Sequence, residues 1–110
     1  MSGSEKDPLD HVFMALANKT RREIVHRLAD KELSVNELVQ GLDMSLAAVS
    51  KHIKVLEKAN LVKRRVDGRV HNISLAPEQF SMALDWISIY RNFWQNRMNS
   101  LTEFIENKEE

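Results

Sequence analysis

The 110 residues contain no cysteine. That excludes disulfides, thiolate metal centres and cysteine nucleophiles, and it agrees with a reducing compartment. Glycine numbers 3 and proline 2, too few for a disordered linker or for the many turns of an all-β domain. No apolar run approaches the ~18 residues that would span a membrane. The stretch from Met1 to Pro8 has no apolar signal core, so no membrane partner is expected and the cytoplasm is the expected location. Neither sign of charge is in excess: 16 basic residues balance 16 acidic ones. The length suits one domain with a modest core.

The apolar pattern divides the chain. Leu9, Val12, Phe13, Leu16 and Ala17 recur at helical spacing and predict a first helix over 8–17, with residues 1–7 a flexible N-terminus. Asn18 can cap a second helix that turns Ile24, Val25 and Leu28 inward and ends near Asp30. Ser34 and Glu37 fit a capping box opening a third helix, with Gly41 placed to end it in a left-handed conformation. Ser45 caps a fourth helix whose inward face is Val49, Ile53 and Leu56, and Asn60 stands just beyond its end. The period then changes. Two runs rich in β-branched residues, 61–66 and 70–75, flank Asp67 and Gly68 and predict a hairpin. From Pro77 no breaker appears before Asn107, which predicts a helix of roughly 45 Å at ~1.5 Å per residue. That helix carries two apolar stripes. Phe80, Leu84, Ile87, Trp94, Met98, Leu101 and Ile105 form one, expected to serve the domain's own core. Met82, Trp86, Ile89, Tyr90 and Phe93 form the other, expected to meet a second copy of the chain.

The expected fold is therefore mainly α with one β-hairpin, in the order α-α-α-α-β-β-α, over residues 8–107, with a tail at 108–110. Residues 34–60 read as a helix-turn-helix, 61–75 as a wing and 77–107 as a C-terminal dimerisation helix. In a helix-turn-helix the second helix enters the DNA major groove and its N-terminal residues contact base edges. The charge distribution points the same way. Between Ser45 and Asn72, seven basic residues oppose two acidic ones, a net of +5 in a neutral chain, which is an electrostatic footprint for nucleic acid. Ser45, Ala47, Ser50 and Lys51 are expected to approach or read bases. Lys54, Arg65 and Arg69 are expected to grip backbone. Arg21 and Arg22 are either a solvated face or further phosphate contacts. The expected dimer interface is Leu9, Phe13, Trp86, Ile89, Tyr90 and Phe93.

The sequence resembles the ArsR/SmtB family of winged-helix bacterial repressors over about residues 8–107. The resemblance is carried by the segments 15–22, 33–38, 48–56 and 60–62. The stretch 84–94 looks like a branch without metal-binding cysteines. The resemblance implies a homodimer on an inverted-repeat operator in double-stranded DNA, repressing transcription until a signal releases it. It also turns His52 toward a DNA contact; His71 reads as a solvated strand residue. Where many members have Gln just inside the recognition helix this chain has Leu46, which cannot make a bidentate bond to adenine. The family's metal sites are not matched. Ser34 and Asn36 stand where a cysteine pair would be. Beside Asp85, Ile87 replaces the histidine, and Met98 and Leu101 replace the distal ligands. No metal and no cofactor are expected.

Two other readings remain in view. A winged helix can serve as a protein-interaction module, against which the basic segment argues. The aromatic group Trp86, Tyr90, Phe93 and Trp94 could line a site for an apolar small-molecule effector, although large apolar residues at helical spacing usually pack. No nucleophile elbow, phosphate loop or metal-hydrolase motif occurs, so the chain does not read as an enzyme.

Overall fold

The computed structural model describes residues 7–109, with side chains through 107. The expected flexible segment therefore lies outside the described residues except for Asp7, as does the end of the expected tail. Asp7 caps α1 (Pro8–Leu16) by accepting from the Leu9 amide, and Pro8 occupies the first turn, where no amide donor is needed. Asn18 caps α2 (Lys19–Leu28) by accepting from the Arg21 amide. Ser34 both ends β1 (Leu33–Ser34) and opens α3 (Val35–Leu42) through a complete capping box: Glu37 N–H donates to Ser34 Oγ, and Ser34 N–H donates to the Glu37 carboxylate. Those bonds hold the Glu37 carboxyl below its ordinary value. Ser45 Oγ accepts from the Ala48 amide and opens α4 (Leu46–Lys58).

Two turns differ from the sequence reading. Gly41 lies within α3, and the left-handed residue ending that helix is Asp43, at φ 53°. Leu42 extends the helix by one more apolar residue, and a short Asp side chain tolerates this conformation. Asn60, at φ 59°, does sit just past α4. The Leu61 amide bonds the Leu56 carbonyl and the Asn60 amide bonds the Glu57 carbonyl, a Schellman closure. The hairpin of β2 (Val62–Asp67) and β3 (Val70–Leu75) pairs Asp67 with Val70. Its two loop residues are thus Gly68 and Arg69, not Asp67 and Gly68. Gly68 has φ 65°, as the first position of a two-residue turn matching strand twist requires.

The sheet has three strands, not two, in the order β1-β3-β2, with Leu33 opposite Ile73 and Ser34 opposite Asn72. The core is formed by Val12, Ala15, Ile24, Leu28, Leu38, Val49, Ile53, Leu56, Leu61, Val62 and Ile73, with Ala59 and Ala83. Within the wing only its base is buried; Val66 and Val70 near the tip are exposed.

The last helix, α5 (Pro77–Glu109), has 33 residues, a rod of ~50 Å. Its sequence stripes are not buried as expected. Phe80 and Met82 pack on the core beside the buried Ala83, but Leu84, Ile87, Trp94, Met98, Leu101 and Ile105 are all exposed. The first stripe therefore serves the domain's core only at its start, because most of the rod extends beyond the domain. The radius of gyration is 19.3 Å, against ~13 Å for a compact domain of this size.

The turn after α4 is testable. Asn60→Gly should keep the urea midpoint of the parent. Asn60→Val should lose ~1–2 kcal/mol, the cost of a left-handed β-branched residue. Equal midpoints for the two variants would show that the turn is not held in this conformation.

Candidate nucleic-acid interface

Helix α4 is held by one face and open on the other. Val49, Ile53 and Leu56 are fully buried, whereas Ser45, Leu46, Ala47, Lys51 and Lys54 are exposed and Ser50 is half-buried. The buried residues follow the helical period, so the intervening positions at the N-terminal end must face outward. Ala47, Ser50, Lys51 and Lys54 thus share the outward side of α4, with the Ser45 cap at its end, and Ser50 lines a common cleft with Arg69 at the wing tip. A cleft of about 260 Å³ runs between α3, α4 and the wing, lined among others by Asn36, Leu46, Ser50, Arg64, Arg69 and Val70.

The basic segment is sorted by its ion pairs. Arg64 binds Glu57 through two bonds, Nη2 to Oε1 at 2.7 Å and Nε to Oε2 at 3.1 Å. This pairing holds the guanidinium above its ordinary range. Arg64 Nη1 also lies 3.0 Å from His71 Nδ1. An arginine can only donate, so Nδ1 accepts and the imidazole proton sits on Nε2. Glu57 of α4, Arg64 of β2 and His71 of β3 therefore brace the wing against the recognition helix. His71 is part of that brace and not a solvated strand residue. Arg65 is held at 2.6 Å by Glu32, and that bond raises its pKa. Its charge is offset from outside the basic segment, which the segment's own composition does not reveal. Lys51, Lys54, Lys58, Lys63 and Arg69 have no acidic side chain within ion-pair distance among the described residues.

His52 and the arginines opening α2 are tied to the end of α1. Arg21 donates to the Ala15 carbonyl at 2.6 Å and the Met14 carbonyl at 3.1 Å. Arg22 donates to the Leu16 carbonyl at 2.7 Å. Both therefore bind carbonyls at the end of α1, where positive charge is favourable; Arg21 is half-buried there and Arg22 stays exposed. Arg21 Nη1 reaches His52 Nδ1 at 3.3 Å. Half-buried, with Nδ1 taken by Arg21, His52 joins α4 to the end of α1. Burial, then the nearby Arg21 charge, lowers its pKa from 6.5.

The expected dimer residues divide as well. Leu9 packs on the chain's own core. Phe13 meets Trp86 edge-on, with ring centroids 5.9 Å apart, and Trp86 lies 4.4 Å from Tyr90. Ile89, Tyr90 and Phe93 are half or more exposed, and Arg97 lies over the Phe93 ring at 5.3 Å. Among the described residues no group of three or more histidines, aspartates or glutamates could hold a metal ion, and no helix is long and apolar enough to cross a membrane.

A capped helix-turn-helix, a wing braced to its second helix and an outward basic face define a winged helix-turn-helix regulator of transcription. The comparisons agree. A family model described as a helix-turn-helix domain matches residues 16–65. The HTH-type transcriptional regulator Rv2034 of Mycobacterium tuberculosis is 35% identical over 99 residues, covering 90% of each chain. The transcriptional repressor SmtB homolog of Synechocystis is 36% identical over 76 residues, 69% of this chain and 58% of that one. Among solved structures, the ArsR family transcriptional regulator RHA00566 superposes with a TM-score of 0.74 at 31% identity, covering 81% of this chain and 98% of that one. The chain belongs to the ArsR/SmtB family.

The His52 contact yields a pH dependence. The unfolded chain takes up a proton near pH 6.5 that the folded chain resists. This contribution to stability is therefore complete above that pH and is lost as the pH falls through the lowered folded value. Urea midpoints should decline as the pH falls below about 6.5, and His52→Gln should decline less. An identical decline in both proteins would rule this contribution out.

Proposed function

We propose that the chain is a homodimeric, sequence-specific repressor that binds an inverted repeat in double-stranded DNA through two copies of α4 and the wing. The observation that carries this reading is that Leu46 and Ser50 of the open end of α4 line one cleft with Arg69 of the wing tip, a cation with no acidic partner among the described residues. Ala47, Ser50 and Lys51 approach bases, with the Ser45 hydroxyl beside them at the helix end. Lys54 and Arg69 grip the backbone. Arg65, already satisfied by Glu32, contributes less, and His52 serves the α1–α4 contact.

The homodimer rests on the exposed face of α5. Trp86, Ile89, Tyr90 and Phe93 present a contiguous aromatic and aliphatic surface beside Phe13 of α1, and such surfaces are rare on monomers unless they bind something. A two-fold axis there would set the recognition helices ~34 Å apart, or a small multiple of that, to match half-sites on one side of the duplex. Repression is the activity named for the SmtB homolog. The protein would act in the cytoplasm without a cysteine metal site, as the lack of cysteine supports.

The test is selection of genomic fragments by the purified protein at two salt concentrations. An enriched inverted repeat whose binding weakens steeply with salt is expected, because each neutralised phosphate releases counterions. Lys51→Ala should relax sequence preference. Arg69→Ala should weaken all sequences alike and flatten the salt slope by ~1. Equal behaviour of the two variants would overturn this division between base and backbone contacts. For the dimer, Ile89→Glu should sediment as a monomer while keeping its helical circular dichroism; an unchanged sedimentation coefficient would place the interface elsewhere.

A further inference from the structure

The cleft between α4 and the wing combines two chemistries. Arg64 and Arg69 line its basic side, and Leu46 and Val70 line it with carbon. Leu46 is 54% exposed and Val70 49%. Most other large exposed apolar side chains lie on α5, so these two do not belong to the aromatic face there. Leu46 is also the first residue of α4. Around it the helix end carries Ser45, Ala47, Ala48 and Ser50, all small, while Val49 is buried. Leu46 is therefore the one large side chain that this end of the helix projects outward.

On the reading that α4 enters the major groove, Leu46 reaches the base edges ahead of its neighbours. It has no donor or acceptor, so guanine N7 and O6, adenine N7 and N6, and cytosine N4 would each be left without a partner against it. The major groove offers one apolar group, the 5-methyl of thymine. We infer that Leu46 is a specificity-determining residue that packs on a thymine methyl group in each half-site, within the cleft that Val70 also bounds. The polar side chains Ser50 and Lys51 on the next turn would read the adjoining pairs. This inference rests on the DNA-binding function proposed above.

Deoxyuridine removes that methyl group and keeps every hydrogen-bonding edge. With the full chain and its selected operator, each thymine of a half-site is replaced in turn by deoxyuridine and Kd is measured. One position per half-site should weaken binding about fourfold, the worth of one buried methyl group. Leu46→Ala should bind the thymine and deoxyuridine operators equally at that position, and repeated selection with Leu46→Gln should enrich a different base there. Because Leu46 is exposed, both variants should melt with the parent. If the operator binds but no deoxyuridine substitution matters, or if Leu46→Ala is as sensitive as the parent, Leu46 does not read the methyl. If no sequence is enriched and binding is indifferent to salt, the DNA-binding reading fails, and this inference with it.

Discussion

The structure depends on α4 being buried along one side and bare along the other. Val49, Ile53 and Leu56 are sealed in the core, and burying such side chains contributes ~1.5–3 kcal/mol each before the cost of ordering them. Every other element serves that arrangement. The Ser45 cap and the left-handed turn at Asn60 set where α4 starts and stops. The bidentate Arg64–Glu57 pair adds a directional constraint, because a guanidinium forked onto a carboxylate restricts rotation as well as distance. The wing is thereby kept at a set angle to the helix whose end it flanks. If this braced unit is the part that meets nucleic acid, as proposed, little of it has to be ordered on binding, which lowers the cost of association.

Much of this was legible in the sequence, for a local reason. Asn18, Ser34, Ser45 and Asn60 act on backbone groups within a few residues of themselves, so their types and spacings reveal them. The helix-turn-helix and its inward face follow from the same short range. What was not legible is long-range or turns on a single residue. Strand β1 has two residues whose partners Ile73 and Asn72 lie far along the chain, and no period can show in so short a run. Gly41 is a better candidate than Asp43 for a left-handed cap by composition, but Leu42 is apolar and extends the helix past it.

The candidate site was legible to the same extent. Ser50, Lys51 and Arg69 follow from helix phase and turn position. The pairing of Arg65 with Glu32, and of Arg21 with the end of α1, does not, because a long cationic side chain can cross between elements and nothing in its neighbours announces where it goes. Formal charge counted along the chain therefore overstates the charge free to meet a phosphate: two of the seven cations in the basic segment, Arg64 and Arg65, are already paired. On α5 the periodicity showed which residues were apolar but not which would be covered, since that depends on where the rod leaves the domain.

In the proposed dimer, that departure would make folding a question of concentration. Beyond Ala83 the rod has little of its own domain against it, and isolated helices in water are marginal because nucleation is costly. In the proposed dimer, what keeps its outer turns wound is the matching rod of another molecule. Dilution would then fray the helix before it unfolds the domain, so the chain's stability would be shared between copies and set partly by mass action. The cell's supply of the protein would govern its shape as well as how many sites it fills.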